Sequence, residues 1–480
     1  MKEKVALLAS GSARAIGEAI AAGEISALEA TEWYLDRIER YDQGDAGINC
    51  VRSLSRLARE EARRADAERA AGHIRGPLHG VPYLIKDNAF TLDGSVASAG
   101  ASALAEFVPP YEATLVTRLR EAGAVLLGKT NMTEFADFVA ETMPAEFSGA
   151  GGVVRHPLGL RYGRGGGSSV GSAAAVAAGF CGFAIGSETQ NSLQTPAVHS
   201  AIVGFKPTVG RVSRHGFIPL VPSQDSPGPL ARTVDDAQLI YQAIAGADSN
   251  DSATLATFPS ESRRNIRLAG LRIGIPRRFI ADSVLTPAHT AAFDNLLQSL
   301  AQAGAGIIDP CDLPSAEQLS HVRSCVFRTE FRASLNRLLT ALKPCGIGSL
   351  RDIIAWNSAH PAHIPYGQSL LEATEAAPDI HSAEYAGDRQ QDIALSLENG
   401  ILAALASAQA DVLLSPLSAA AKCTGKAGAP VVAIPAGADA EGLPFGITLY
   451  GAPGQDADIL QAAIAVESVI GKRLMPAFNE

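Results

Sequence analysis

The chain has 480 residues, of which 47% are hydrophobic, so it can bury a substantial core in one large domain or in two or three smaller ones. Its 40 basic and 50 acidic residues give a formal net charge of −10, which argues against nucleic acid or an anionic membrane as the main partner. The six cysteines are scattered, without a CxxC pair or a Cys/His cluster at metal spacing, so we expect no disulfide, no metal and no other cofactor.

The N-terminal part of the chain predicts helices. Its first apolar run, residues 5–9, is too short for a secretory signal, and no segment could span a bilayer, so we expect a cytoplasmic protein. Residues 12–41 predict two helices broken at Gly23, and Ser26 with Glu29 makes a capping box for the second.

Lys86 ends a short apolar run. Residues Val81 to Ile85 predict a strand, which places the lysine at the strand end with its side chain directed inward. A lysine after four apolar residues is more commonly a surface residue whose amine reaches solvent. The inward orientation therefore depends on the family resemblance described below.

Residues 123–130 match the phosphate-binding pattern GxxxxGK[ST] letter for letter. The residues before them, Leu115–Ala122, predict a helix, and Ala124–Leu127 within them predict a strand. A phosphate loop follows a strand and wraps its backbone around phosphate. A P-loop nucleotide-binding protein is therefore a weak alternative.

The stretch Gly163–Pro207 is the most informative about chemistry. Its small residues predict a turn, a buried helix, a strand and a second turn that opens another helix. The three glycines before Ser168 allow backbone conformations that a Cβ would forbid. The turn from Ser187 to Ser192 presents a hydroxyl beside consecutive backbone N–H groups, which is what an oxyanion hole requires.

The sequence GSSVG, residues 167–171, also fits the GxSxG elbow of α/β-hydrolases. That alternative, a serine esterase, would make Ser169 the nucleophile and would need an acid and then a histidine downstream. The candidate histidines have no recognisable context; they are His215, His289, His321, His360, His363 and His381.

The second half of the chain predicts further strands and helices. The stretch from Asp312 to about Ala408 is mainly helical. Strands are predicted at 271–276, 306–309, 411–415, 430–434 and 444–450, and helices at 287–303 and along the apolar stripe Ile459, Val466 and Ile470.

These motifs resemble those of the amidase signature family. The family's serine motif, GGSSxGSAAAVAAG, corresponds to Gly166–Gly179, and its lysine motif, GPLhGvPvavKD, begins at Gly76 and contains Lys86. The resemblance continues through residues 128–136, 189–192, 196–197, 204–207 and 211–237, and through GAPVVAIPAG and GLPFGITLYG near the C-terminus. Coverage is nearly end to end, so chance is a poor explanation.

The resemblance implies an α/β fold, in which one mixed, twisted β-sheet is covered by helices on both faces. We expect a single amidase domain over residues 1–480. Its parts are N-terminal helices in 1–75, the signature core in 76–240, a variable helical region that walls the pocket in 312–408, and C-terminal core strands with a helix in 411–475.

The resemblance also implies hydrolysis of a small-molecule carboxylic amide through a Ser-cisSer-Lys triad and an acyl-enzyme. By motif position Ser192 is the nucleophile, Ser168 is the bridging serine after a cis peptide bond, and Lys86 is the base, which burial would keep neutral enough to accept a proton. We expect Ser169 to help hold Lys86. The oxyanion would bind the backbone N–H groups of Thr189, Gln190, Asn191 and Ser192. A homodimer is the family expectation, with neither nucleic acid nor a membrane as partner.

Three features depart from the family pattern. The usual DTGGS is ETQNS here, the arginine two places after the nucleophile is Gln194, and the loop between Pro416 and Gly428 is short. ETxxS together with SQDSxGP resembles the branch that contains peptide amidases. The leading alternative is the glutamine-hydrolysing component of an amidotransferase, and a catalytically silent binding protein on this fold is another.

Gln190 and Asn191 stand where relatives usually have glycines. We predict that their side chains restrict or orient the acyl group of the substrate, and the alternative is that both side chains turn away and pack locally. Asparagine tolerates the left-handed backbone region better than most residues, so the oxyanion hole can form in both cases.

Overall fold

The structure is a computed structural model, and it describes residues 2–44, 46–163, 165–256, 266–281, 285–470, 473–476 and 478. The strands are β1 (Val51–Leu54), β2 (Pro82–Lys86), β3 (Val125–Thr130), β4 (Phe147–Ser148), β5 (Gly152–Val153), β6 (Phe183–Glu188), β7 (Val203–Lys206), β8 (Ser226–Ala231), β9 (Arg272–Gly274), β10 (Gly306–Ile308), β11 (Val412–Pro416), β12 (Val431–Ala438) and β13 (Pro444–Tyr450).

The helices before β9 are α1 (Lys2–Ser10), α2 (Ala13–Ala22), α3 (Ala27–Tyr41), α4 (Ala58–Ala70), α5 (Thr114–Glu121), α6 (Val170–Ala177), α7 (Gln194–His199) and α8 (Val234–Ile244). Those after it are α9 (Arg277–Ala281), α10 (Pro287–Gln302), α11 (Ala316–His321), α12 (Val326–Leu342), α13 (Leu350–Ala359), α14 (Ser369–Glu375), α15 (Ala383–Ile393), α16 (Ala403–Ala408), α17 (Ala421–Ala427) and α18 (Asp456–Glu467). A π-helical segment, Ala394–Leu402, joins α15 to α16.

Among the described residues, eleven strands form one mixed sheet in the order β1-β3-β2-β6-β8-β7-β12-β13-β11-β9-β10. The strand β2 runs parallel to both β3 and β6, and antiparallel pairs surround this parallel group. Because parallel strands end at the same edge of a sheet, the residues after Lys86, Thr130 and Glu188 meet at one edge. The predicted α/β fold with one mixed sheet is confirmed.

The parallel centre of the sheet is buried on both faces. Every residue of β2 and β3 is buried, which is typical of strands covered on each side by helices. The small residues of α6 are all buried as well, and this slim helix packs on β2 and β6. The turn that precedes α6 is thereby held close to the carboxyl ends of both strands.

Several local predictions are confirmed. The helices α2 and α3 are separated at Gly23, which has a φ of 74°, and Ser26 with Glu29 forms the capping box. The stripe predicted for the last helix is only partly right, because α18 ends at Glu467 and Ile470 lies beyond it.

Residues 123–130, which match the phosphate-loop pattern, lead into and form the buried strand β3. The last three of these residues, Gly128 to Thr130, lie inside β3, and the buried Lys129 donates a hydrogen bond to the carbonyl of Ala89. The backbone there is extended and paired with β1 and β2, so it does not wrap around an anion.

In the part of the chain that the structure describes, no helix combines the length and apolar character needed to cross a bilayer.

Candidate active site

Lys86 is the last residue of β2, and its side chain is fully buried at the edge where β2 and β6 end. Its Nζ donates a hydrogen bond to Ser168 Oγ at 2.7 Å and another to the carbonyl oxygen of Ser187 at 3.0 Å. The predicted inward orientation is therefore observed, and the amine connects the first serine turn to the end of β6.

Ser168 lies just before α6, in the turn that the glycines form. The Gly167–Ser168 peptide bond is cis, and the carbonyl of Ser168 accepts a hydrogen bond from Thr133 N at 3.1 Å. Gly165 has a φ of 69°, and a Cβ on Gly167 would collide with the Thr133 hydroxyl. The two glycines thus meet different requirements, one of backbone angle and one of space.

Ser192 lies in the turn between β6 and α7, and this second turn packs against the first. The amide of Ser169 donates to the carbonyl of Ser192 at 3.2 Å. The structure therefore packs the turn that bears Ser192 against the turn whose Ser168 hydroxyl bonds to Lys86. Ser192 is 4% exposed.

Glu188, which the sequence interpretation did not single out, closes the turn around Ser192. Its carboxylate accepts hydrogen bonds from the amides of Leu193 and Gln194 at 2.6 and 2.9 Å, and from the Gln194 side chain at 2.6 Å. The sequence signal was an acidic residue four places before the serine. Gln194, in the position of the family's arginine, is thus a hydrogen-bond partner of this carboxylate.

Ser169 supports Lys86 indirectly. Its hydroxyl donates to the Ser187 carbonyl at 3.1 Å and accepts from Ser187 N at 3.3 Å, so Lys86 and Ser169 share one acceptor. A Cβ on Gly186 would lie 2.7 Å from Ser169 Oγ, which explains the glycine in β6. Among the described residues no histidine bonds to Ser169, so the arrangement of a GxSxG hydrolase is not formed.

The backbone of the second turn offers free donors. No described residue accepts a hydrogen bond from the amide N–H of Thr189, Gln190, Asn191 or Ser192, although the next amide, of Leu193, bonds to Glu188. Four consecutive N–H groups of the turn that bears Ser192 therefore have no acceptor among the described residues.

The side chains of Gln190 and Asn191 bond to their neighbours. Gln190 Nε2 donates to Gln224 Oε1 at 3.1 Å, and Asn191 Nδ2 donates to the Gly165 carbonyl at 2.7 Å. These contacts favour local packing over the predicted role of the two side chains in restricting or orienting the acyl group.

Burial controls the charge of Lys86. It lowers the pKa of the amine from 10.5 to about 7, and the more distant carboxylates of Asp225 and Glu188 only partly oppose this effect. A substantial fraction of Lys86 is therefore neutral near pH 7. Burial also raises the pKa of Glu188, and the positive charge of Lys206 on β7 partly opposes this effect.

An apolar cavity of about 200 Å³ opens beside this site. Ser187, Thr189 and Asn88 form its wall nearest Lys86, and Asn88 Nδ2 donates to Ser187 Oγ at 2.9 Å. Most of the remaining surface is apolar and includes Met132, Phe135, Phe217, Ile218 and Leu220, and the charged residues Arg214, Asp225 and Asp251 also line the cavity. Within the described ranges, no group of three or more His, Cys, Asp or Glu residues could hold a metal ion.

Comparisons with known proteins agree on one family. The sequence model of the Amidase family matches residues 29–427. A glutamyl-tRNA(Gln) amidotransferase component from Moorella thermoacetica is 36% identical over 470 residues, which cover 92% of this chain and 93% of that protein.

Two solved structures are similar over nearly their whole length. The native peptide amidase from Stenotrophomonas maltophilia is 34% identical, with a TM-score of 0.88 over 98% of this chain and 99% of that one. An amidase family protein from Bacillus anthracis is 31% identical, with a TM-score of 0.90 over 99% and 94%.

Proposed function

The chain belongs to the amidase family and is an amide-hydrolysing enzyme, and we propose that it cleaves the C–N bond of a small carboxylic amide through an acyl-enzyme on Ser192. The observation that carries this proposal is the hydrogen bond of 2.7 Å from a buried lysine amine to Ser168 Oγ, beside the turn that bears Ser192. A serine hydroxyl is a weak nucleophile and needs a base, and Lys86 is a basic group that contacts the Ser168 hydroxyl.

In this mechanism Lys86 acts in its neutral form. Ser168 passes the proton of the Ser192 hydroxyl to the lysine amine while Ser192 Oγ attacks the amide carbonyl carbon. The negative charge that develops on the carbonyl oxygen is stabilised by the free N–H groups of residues 189–192, and each such donor contributes about 3 to 4 kcal/mol in well-studied hydrolases. The proton then returns along the same path to the leaving nitrogen, and the C–N bond breaks.

The second half of the reaction repeats these roles with water. Lys86 and Ser168 take a proton from a water molecule that attacks the ester of Ser192, and the carboxylic acid leaves as Ser192 regains its proton. The apolar cavity beside Thr189 would hold an uncharged part of the substrate, because its wall is mostly hydrocarbon.

Labelling with a fluorophosphonate tests the choice of nucleophile. We expect the probe on Ser192, and Ser192→Ala should lose labelling and amide turnover together. Ser169→Ala is the matched control, because the alternative GxSxG hydrolase would carry the label on Ser169. A label on Ser169, or full turnover by Ser192→Ala, would overturn the proposal.

One observation favours a second candidate, the glutamine-hydrolysing component of an amidotransferase. A relative with an amidotransferase name is 36% identical to this chain over more than nine tenths of its length. Turnover of glutamine, measured with and without candidate partner proteins and compared with a panel of aryl, alkyl and peptide amides, separates the two functions. The amidase proposal expects turnover of other amides without any partner.

A further inference from the structure

A second cleft, distinct from the apolar cavity, also borders the nucleophile turn, at Gln190. It has a volume of about 710 Å³ and is defined by Gln190, Arg323, Arg328, Lys422 and Lys426 together with a short acidic segment of α15. We call it the basic cleft. Ser187 and Thr189 line the apolar cavity and Gln190 lines the basic cleft, so the same turn borders both.

The helix α17, which carries both lysines, is fastened to the nucleophile turn. A Cβ on Gly425 would lie 2.7 Å from Gln190 Cγ, so the helix backbone packs directly on that side chain. The Gln194 side chain also lies 3.3 Å from the Thr424 hydroxyl. Lys422 therefore stands at a fixed position relative to Ser192, and it lines a second depression that includes both Gln190 and Asn191.

Positive charge in the basic cleft is incompletely neutralised. Lys426 forms an ion pair of 2.6 Å with Asp392. Lys422 donates to a neutral carbonyl, that of Ser320, at 3.2 Å, and Arg323 and Arg328 form no ion pair with any described residue. An arginine or lysine in a cleft without a carboxylate partner favours an anionic ligand.

The acidic residues near the cleft lie on α15 and contact the residues that follow Arg323, and the hydroxyl of Ser324 donates a hydrogen bond to Asp392 at 2.9 Å. Asp388 accepts a hydrogen bond from the amide of Cys325 at 2.7 Å, and Asp388 and Glu384 both raise the pKa of the Cys325 thiol in addition to the effect of burial.

The charged groups that act on Lys422 are Lys426, Arg323 and Asp392. Burial lowers the pKa of the Lys422 amine, and repulsion from Lys426 and Arg323 adds to the effect, with Asp392 as the opposing carboxylate. An anion bound between Lys422 and Arg323 would relieve that repulsion.

We propose that the basic cleft binds a carboxylate carried by the amide substrate, with Lys422 and Arg323 as its ligands. This inference rests on the proposed amide hydrolysis at Ser192 and names the substrate class, an amide with an apolar group on one side and a carboxylate on the other. The apolar group occupies the cavity beside Thr189, and the carboxylate reaches past Gln190. The carboxylate belongs either to the acyl part or to the amine part of the substrate.

Two matched substrate pairs test the proposal and distinguish the two placements. N-Benzoylglycine against N-benzoylpropylamine puts the carboxylate on the amine side, and succinanilic acid against butyranilide puts it on the acyl side. In one of the two pairs we expect kcat/KM to be at least about tenfold higher for the compound that carries the carboxylate than for its uncharged partner. This is the effect of one charge-assisted hydrogen bond. Raising the salt concentration from about 0.05 to 0.5 M should reduce that preference, because the cleft is open to solvent.

Charge-removing variants connect the preference to the cleft. Lys422→Gln and Arg323→Gln should each lower the ratio of rates within the preferred pair several-fold, and Lys422→Arg should retain it. Lys4→Gln, which removes an exposed lysine of α1, is the control and should leave the ratio unchanged. Equal rates within both pairs, or an unchanged ratio in Lys422→Gln and Arg323→Gln, would overturn the inference.

A binding measurement separates this inference from the proposed function. Calorimetry with Ser192→Ala should detect N-benzoylglycine or succinanilic acid, with weaker binding in the double variant Ser192→Ala/Lys422→Gln. Binding of this kind without turnover by the wild type would leave the cleft assignment standing and refute the proposed hydrolysis. Failure of both carboxylates to bind the Ser192→Ala protein would refute the cleft assignment.

Discussion

Replacing Lys86 by methionine should abolish turnover and at the same time stabilise the protein near neutral pH. The side chain is fully buried, and its pKa falls from 10.5 to about 7 because burial disfavours the charged amine. Each pH unit of that difference corresponds to about 1.4 kcal/mol. At pH 7 the buried amine therefore lowers the free energy of unfolding by about 4 kcal/mol.

Methionine removes that cost and also removes two hydrogen bonds, to Ser168 Oγ and to the Ser187 carbonyl. At about 1 kcal/mol each, their loss leaves a net gain of about 2 kcal/mol at pH 7. For 480 residues unfolding with about 2.1 cal/mol/K per residue, this gain corresponds to a rise in Tm of about 2 °C. Turnover should fall at least about 100-fold, the low end for removal of a general base.

The pH dependence gives the sharper test. The folded pKa lies below the unfolded one, so between about pH 7 and 10.5 the unfolded wild type binds one more proton than the folded state, and wild-type stability rises with pH. The methionine variant lacks this rise, so its advantage in Tm should shrink from pH 7 to pH 9 and vanish near pH 9.

Differential scanning fluorimetry at pH 7, 8 and 9 measures both proteins, with Ser192→Ala as the control. That variant should lose turnover and keep the wild-type change of Tm with pH. A Tm difference that does not vary with pH, or a methionine variant with near wild-type turnover, would refute the assignment of Lys86 as a buried base.

Two further outcomes follow from the same site. Because Lys86 must be neutral to act and has a pKa of about 7, kcat/KM should rise about tenfold between pH 6 and pH 8 and then level off, and a flat profile would exclude this base. Because Gln190 and Asn191 bond to Gln224 and Gly165, changing both to glycine should leave the relative rates for small and bulky acyl groups unchanged in a substrate panel. A broadened range would show that they face the substrate.

The sequence predicted the elements of the site better than the contacts between them. The strand ending at Lys86 and the small-residue helix α6 are encoded in local patterns, so both could be predicted. The side-by-side position of β2 and β6 depends on pairing across about a hundred residues, and local patterns contain no information about it. The family resemblance supplied that information by motif position.

Two groups of the site could not be predicted from the sequence, because their contacts form only when the turn that bears Ser192 has folded. Glu188 became recognisable only when the chain folded back and placed the amides of Leu193 and Gln194 on its carboxylate. The Ser187 carbonyl, which receives both Lys86 and Ser169, is a backbone group and has no sequence signature at all. Side-chain directions such as that of Gln190 are likewise set by neighbours distant in sequence, here Gln224 and Gly425.

The departures from the family motif are connected through Gln194. Its side-chain amide lies 2.6 Å from the Glu188 carboxylate, 2.9 Å from the Gln190 carbonyl and 3.3 Å from the Thr424 hydroxyl, so one neutral group joins the nucleophile turn to α17. An arginine here would add a full charge between the turn and the two lysines of that helix, where it would oppose their own positive charge. With glutamine the turn keeps its hydrogen bonds, and the cations stay on the cleft side of α17. The glutamine therefore joins the turn that bears Ser192 to α17 without placing a further cation beside that helix.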